Sequence, residues 1–504
     1  MAPQDTSQSV RILPSGRGRF SCPGIAITDL VQFLIQVSVS LLLLPLDTAV
    51  LIAAAVFARL PLPNKRPRHK RRDLLHDPHF YPKTILITGV GTARALTLAR
   101  QFYYGGHRVV GADVGWSPVR SGGSMSNTLD AYYRIPKTHY VSNLMDIIHR
   151  EKIDVWIPCS DRATAVEDGV AKSTIESRTA CKCVHFDSDV AMIFSQTHTF
   201  LQHLAEKGLP VVEKHDVRSR DSIHRILNRS PTKSYRIQKL GTRVRENARE
   251  VILLPRRTPS QTYSDVSQLV VSNDQPWVLK QHAKVGKYWA DLLLIQGRVT
   301  AMKVRPFRPD VSWAKSRLDD GLVEAMKQLM DGFAEKGGTR LTGHLSVNLM
   351  VDEEIGGNSV CYAIYITGCR QGITAVGDLL DDPPRDMYRR YLEVLASDID
   401  GNDVRPFGKS SSTLVISHGP VAAKPPLSSV CVSHLIEIFK ELRRLRHISE
   451  TVNFCAEPLQ HLQVWNRTRF SRLDPVPWWW HAHVSQPLNN FMLLFDSKVE
   501  VHIK

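Results

Sequence analysis

From Lys83 the chain reads KTILITGVGTARALTLARQFYYGGHRVVGADV: a short apolar run, a turn of small residues, apolar positions at helical spacing, Gly105-Gly106, and a second apolar run. Short apolar runs bounded by turns read as buried strands, and the spacing between them as a helix, so this is a βαβ unit. Strands joined through a helix lie parallel, and a parallel sheet needs helices on both faces. An all-helical or all-β chain is thereby excluded. VSNLMDIIHREKIDVWIPCS and CKCVHF supply further helix and strand material for the same layer.

Beyond Leu209-Pro210 the pattern changes. SYRIQKL, PWVLKQH, WADLLLIQGRVTAMKV and HLSVNLMV are strand-rich and alternate with helices such as GLVEAMKQLMDGFAEKG, which predicts a distinct α+β domain. A Pro/Ser/Gly-rich stretch from Val404 to Ser429 sets off a last part whose VSHLIEIFKELRRLRH has an apolar helical face. A chain of 504 residues exceeds what one core serves, so about two to four domains are expected.

Two apolar runs, Leu30 to Leu46 and Ala49 to Leu62, precede the βαβ unit, with Pro45 and Asp47 in or between them. Each is shorter than the ~20 residues that span a bilayer as a helix. Arg11, Arg17 and Arg19 lie before them; Lys65, Arg66, Arg68, Lys70, Arg71 and Arg72 follow. Basic flanks at both ends favour the cytosolic side for both, which favours a re-entrant membrane hairpin over one long tilted helix. The net charge of +16 raises an anionic membrane or nucleic acid as partner. With no zinc-finger spacing, RNA-binding motif or basic heptads, no nucleic-acid partner is expected. The eight cysteines lack paired metal-ligand spacing and read as reduced thiols.

The turn Gly89-Val-Gly91 and Asp113 fit the start of a dinucleotide fingerprint, which keeps a nicotinamide-dependent reductase open. Tyr133 and Lys137 have a reductase spacing, but Pro136 between them keeps them off one helical face.

The order of blocks from TILITGVGTARALTLAR through DAYYRIP, DVWIPCSD, HTFLQHLAEKGLPVVE, YRIQKLG, WVLKQHAKVGKYWADLLLIQGRV and GHLSVNLMV resembles ATP-grasp ligases. The resemblance covers about Lys83 to Gly377, returns at DPVPWWWHAHV, and is to the fungal secondary-metabolism branch, itself similar to mycosporine-type ligases. It implies an α/β and α+β multidomain fold. The expected organisation is an N-terminal tail, membrane hairpin and basic linker over 1–75 and a Rossmann-like pre-ATP-grasp domain over 80–205. An ATP-grasp domain over 206–400 and a C-terminal helical and aromatic region over 401–504 follow. It also implies ATP, Mg2+, and small-molecule carboxylate and amine substrates, joined through an acyl phosphate. Lys239 matches the family's phosphate-contacting strand lysine, and Lys280, Gln281 and His282 match the strand lining adenine.

The metal positions depart from that pattern. Asn348 stands where an aspartate is common, Thr367 and Cys369 where the magnesium glutamate and asparagine belong, Lys287 replaces an acid, and Thr197 replaces a basic residue before H-x-F. A hydroxyl and a thiol are poor ligands for a hard cation. Asn348 alone remains as a metal-site residue, and Mg2+ binding is expected to be weakened. The expected protein is a membrane-associated ligase whose catalytic region faces the cytosol. The alternatives are a catalytically impaired ATP-grasp protein acting as a binding or scaffold protein, and an NAD(P)-dependent reductase.

Overall fold

The βαβ signal at Lys83 develops into a five-stranded parallel sheet. Its elements are β1 (Thr84–Thr88), α3 (Ala93–Tyr104), β2 (Arg108–Val114), β3 (Ala131–Ile135), α4 (Tyr140–Glu151), β4 (Val155–Pro158), α5 (Ala165–Arg178) and β5 (Lys182–Cys183). The order is β3-β2-β1-β4-β5. Ile85 and Ile87 pack with Ala95, Leu98 and Phe102 of α3, while Leu86 packs with Leu144, Ile148 and Ile175 of α4 and α5. Burial on both faces is why β1 is apolar at successive positions rather than alternating. Thr92 caps α3 by accepting from the Ala95 amide, and Thr164 and Glu167 form a reciprocal capping box on α5.

The computed structural model describes residues 24–59, 66–115, 119–160, 163–231, 233–239, 252–271, 277–282, 285–307, 320–356, 359–381, 383–384, 386–398, 414–416 and 469–499. The amphipathic stretch at 432–447, the cysteines 22, 431 and 455, and the basic residues before 24 lie outside them.

Helices α6 (Ser188–Ser195) and α7 (Thr197–Glu206) lead into two further sheets, antiparallel except for one parallel edge pair in the larger. The smaller sheet is built from β6 (Lys214–Val217), β7 (Tyr235–Lys239), β8 (Ile252–Leu254) and β9 (Trp277–Gln281), in the order β6-β9-β7-β8. Helices α8 (Arg220–Arg229) and α9 (Pro259–Gln268) cover one face, burying Ile223, Leu227 and Val266 against Tyr235, Ile237 and Leu279. The larger sheet has β10 (Gly286–Ile295), β11 (Arg298–Pro306), β12 (Gly343–Gly356), β13 (Ser359–Gln371) and β14 (Leu414–Ile416), in the order β13-β12-β10-β11-β14. On one side α6, α7 and α10 (Asp320–Gly337) enclose Phe194, Phe200, Met326, Met330 and Phe333 with Leu292, Leu345 and Val347. On the other, α11 (Gly377–Asp381) and α12 (Met387–Leu392) share one core with α3 and β1.

The N-terminal expectation needs correction. The segment expected to turn at Pro45 is one helix, α1 (Gly24–Arg59), with Pro45 inside it. Proline removes one backbone donor, and its exposed edge tolerates that loss. Asp47, expected to interrupt an apolar run, is buried and lies 3.0 Å from His483 Nε2. Among the described residues no helix is long and apolar enough to cross a membrane. A basic helix, α2 (Arg66–His76), packs on α3. At the far end of the chain, α13 (Val476–Trp480), a π-helical turn His481–Ser485 and α14 (Gln486–Val499) lie against α1.

Candidate functional site

Strand register assembles a charge cluster that no single strand displays. Lys280 in β9 pairs with Lys214 of β6 on one side and Arg236 of β7 on the other. Cross-strand partners project from the same face. This is the face opposite α8 and α9, because Leu279 and Ile237, the alternate positions, are in the helix-covered core. Lys280 and Lys214 are exposed, and Arg236 is half-buried with its Nε enclosed and lacking a hydrogen-bond partner. The Lys280 ammonium is held below the ordinary lysine range by desolvation first, then by Lys214 and Arg236. No ion pair among the described residues engages any of the three. Like charges in contact without a counter-charge favour binding of an anion.

The other residues singled out in the sequence fall around this cluster. Lys239 closes β7, in backbone register with Trp277. Gln281 is buried; its Oε1 accepts from the Glu213 amide, while its Nε2 has no partner. The amides of Gln281 and His282 donate to the carbonyls of Glu213 and Ser234. Neither amide is therefore left for the edge of a base. His282 is held below the ordinary histidine range by burial, then by Lys287 and Arg236, so the cationic face abuts the start of β10.

On the larger sheet, Asn348 of β12 is paired with Gly368 of β13 and Trp289 of β10. A side chain built at Gly368 would lie 3.4 Å from Thr197 and 3.8 Å from the Asn348 Nδ2. Thr367 Oγ1 donates to the Asn348 carbonyl at 3.2 Å. The fold therefore brings Asn348, Thr197 and Thr367 together. Cys369 is different: its Sγ donates to the Phe194 carbonyl, and burial pushes its thiol up to about 12.

These donors do not fit magnesium. Asn348 Oδ1 is buried with no hydrogen-bond partner and offers one amide oxygen. Thr367 is already engaged, and a protonated thiol turned to the core supplies nothing to a hard cation. Among the described residues no group of three His, Cys, Asp or Glu could hold a metal ion.

Beside Asn348 lies a second polar patch that pattern reading missed. The guanidiniums of Arg305 and Arg370 lie over the Trp289 ring at 5.3 and 5.0 Å from its centroid, and Phe307 stacks on it at 5.8 Å. Arg305 is paired with Asp378 at 2.9 Å and stands 3.5 Å from the fully buried Asp291. Arg370 is exposed and has no carboxylate partner among the described residues. Only alternate spacing along β10 and β11, read together with a known register, could have revealed it.

The glycine turn of the parallel sheet is occupied by the protein itself. Asp113 accepts from the Gly91 amide at 2.9 Å, from Ser121, and from Tyr132 at 3.1 Å. Arg469 donates to the Gly91 carbonyl, and His481 packs against Gly122. A cavity of about 210 Å³ remains at the strand ends. Tyr133 donates instead to Glu151, away from Lys137.

No family model matches the sequence, and no curated protein matches it. Among solved structures the chain is similar to the biotin carboxylase subunit of pyruvate carboxylase, at 11% identity over 63% of this chain and 70% of that one, with a TM-score of 0.44. It is similar to N5-carboxyaminoimidazole synthetase from Staphylococcus aureus complexed with ADP, at 12% identity over 59% and 72% of the two chains and a TM-score of 0.35. For L-amino acid ligase from Bacillus licheniformis the values are 12%, 59%, 68% and 0.34. Similarity at this level assigns no activity to this chain.

Proposed function

We propose that this protein is an ATP-grasp protein that binds the phosphates of ATP on the free face of its smaller antiparallel sheet and joins a small-molecule carboxylate to an amine. The observation that carries the reading is the trio Lys214, Lys280 and Arg236, which no ion pair among the described residues engages, with the partnerless Arg236 Nε at its edge. Phosphate oxygens supply an acceptor for the Arg236 Nε and charge opposite to that of the trio. Arg370, exposed beside Trp289, suits the carboxylate of the substrate. Assignment to fungal secondary metabolism rests on the order of sequence blocks alone. We place the protein at a membrane with this site on the cytosolic side, on the strength of its apolar N-terminal stretch and the basic residues after it.

One observation favours a second reading, in which the protein binds nucleotide without turnover. The donors around Asn348 do not fit the magnesium that phosphoryl transfer to a carboxylate ordinarily uses. The test is ADP release by the full chain in the presence of amino acids, with and without magnesium, alongside thermal protection by ATP. Protection without ADP release selects the binding protein. Absence of protection at saturating ATP rejects both readings.

A further inference from the structure

Helix α1 presents its polarity the wrong way round for a water-facing helix. Its exposed positions are Leu34, Ser38, Leu41, Leu42, Pro45, Leu46, Ala49, Ile52, Ala53 and Val56, where a soluble helix would carry charges. At 100° per residue they fall within an arc of about 140°, and they run for about 33 Å. Apart from Ser38, the polar side chains described are on the packed side: Ser40 Oγ is 2.9 Å from His483 Nδ1, Asp47 is on His483 Nε2, and Thr48 accepts from Trp479. An apolar stripe of this extent marks a surface that something covers.

The neighbouring helix states the chemistry of the cover. α2 carries Arg66, Arg68, Lys70, Arg71 and Arg72 against one acid, Asp73. Arg68, Arg71, Arg72 and His76 line a cavity of about 440 Å³ with Tyr103, Tyr104 and Leu473. Arg71 is anchored on the carbonyls of Tyr103 and His107, which holds the cavity open in shape while Arg68 and Arg72 stay exposed at its mouth. Leu473 and the His483 turn that seats α1 belong to the same C-terminal segment, so the stripe and the cavity are fixed relative to each other.

We propose that α1 lies in the plane of an anionic lipid bilayer, its stripe in the acyl boundary, while Arg68 and Arg72 take lipid headgroup phosphates at the cavity of α2. The inference rests on the membrane association proposed above and specifies its geometry and lipid chemistry. A helix packed along one side on a folded body and apolar along the other has one face to give to hydrocarbon. That is the arrangement of an interfacial helix, and the adjoining arginines add the attraction to anionic headgroups.

Full-length protein released from detergent is added to preformed vesicles of phosphatidylcholine, or of phosphatidylcholine mixed with phosphatidylserine, and bound protein is measured by flotation. Binding is expected on both and stronger on the anionic vesicles. Leu42→Asp with Ile52→Asp is expected to abolish both. Arg68→Gln with Arg72→Gln is expected to remove only the anionic preference, by about fivefold per arginine at low salt. All four positions are exposed, and unchanged circular dichroism and thermal midpoint check that the variants fold. Equal binding to both vesicle types, unmoved by the arginine changes, overturns the headgroup assignment and leaves membrane association standing. Failure to bind either, with self-association lost in the Leu42/Ile52 variant, overturns both and assigns the stripe to a second copy of the chain.

Discussion

Three cations in register across β6, β9 and β7 repel one another until an anion sits among them, and the central lysine is held down first by desolvation and then by these two neighbours. Because its folded value is lowered, the unfolded chain binds more protons between that value and the ordinary lysine value of 10.5. Stability of the ligand-free protein therefore rises with pH through that window. ATP restores the charge and removes the rise, so melting midpoints with and without ATP should converge at alkaline pH. Lys280→Ala and Arg236→Gln should each reduce protection by ATP at pH 7 at least tenfold in apparent affinity, leaving the ligand-free midpoint within a few degrees; unchanged affinity in both would remove the phosphate site from this face. At this scale the sequence was partly legible. Lys280 stood out within WVLKQH, whereas Lys214 and Arg236 sit in unrelated stretches and become neighbours only through antiparallel pairing, which no local pattern encodes. Asn348 and Thr367 stand at metal positions by block order, which says nothing of their contact; that, like the inward turn of Cys369, depends on strand pairing across a bulge at Asn348/Leu349.

At the scale of elements, the C-terminal segment is held by a buried network. Arg100 of α3 donates to the Asp474 carboxylate and carbonyl and to the Arg469 carbonyl, while Ser126 and the Asn127 amide donate to the same carboxylate. Removing one member leaves a buried charge without its partner, which costs about 3–5 kcal/mol. Asp474→Ala is accordingly expected to lower stability by that amount in urea unfolding and to open the 469–499 segment to limited proteolysis first. A loss below about 1 kcal/mol would mean the segment is held by its aromatic packing, Trp478 on Phe470, instead. DPVPWWWHAHV was readable as part of an aromatic C-terminal region, and the stretch over Gly24–Arg59 as apolar. Their mutual seat was not, because Asp47 and His483 are far apart in sequence and each looks ordinary alone.

Over the whole molecule the layers followed from periodicity: a parallel sheet where apolar runs alternate with helices, then mostly antiparallel sheets in the strand-rich part read as α+β. Less visible was how far polar groups are drawn inside. His185 and His344 are buried and His481 is half-buried, and desolvation pushes them down to about 4, 3 and 3, which keeps them neutral. Since these values lie below 6.5, the unfolded state takes up protons that the folded state refuses as pH falls from 6.5 toward 4. Stability is then lost by on the order of 1.4 kcal/mol per pH unit for each histidine. Asp168, raised by burial to about 7, acts in the opposite sense and offsets part of the loss. The melting midpoint should fall steadily between pH 6.5 and 4.5. His344→Gln, which can still bond Tyr391, should flatten the curve; a midpoint constant over that range would contradict neutral burial.

Arg469 caps the Gly91 turn, Asp474 satisfies Arg100, and His483 takes up Asp47, so residues near one end of the chain complete structure laid down near the other. During synthesis the glycine turn, α3 and α1 emerge hundreds of residues before these partners. The nascent chain must carry an apolar helix and a buried-to-be arginine without their counterparts until residues 469–483 have been made. A premature stop anywhere before Arg469 would thus damage the first unit of the protein as surely as a lesion within it, and late nonsense variants should accumulate as chaperone-bound chains rather than as shortened folded ones.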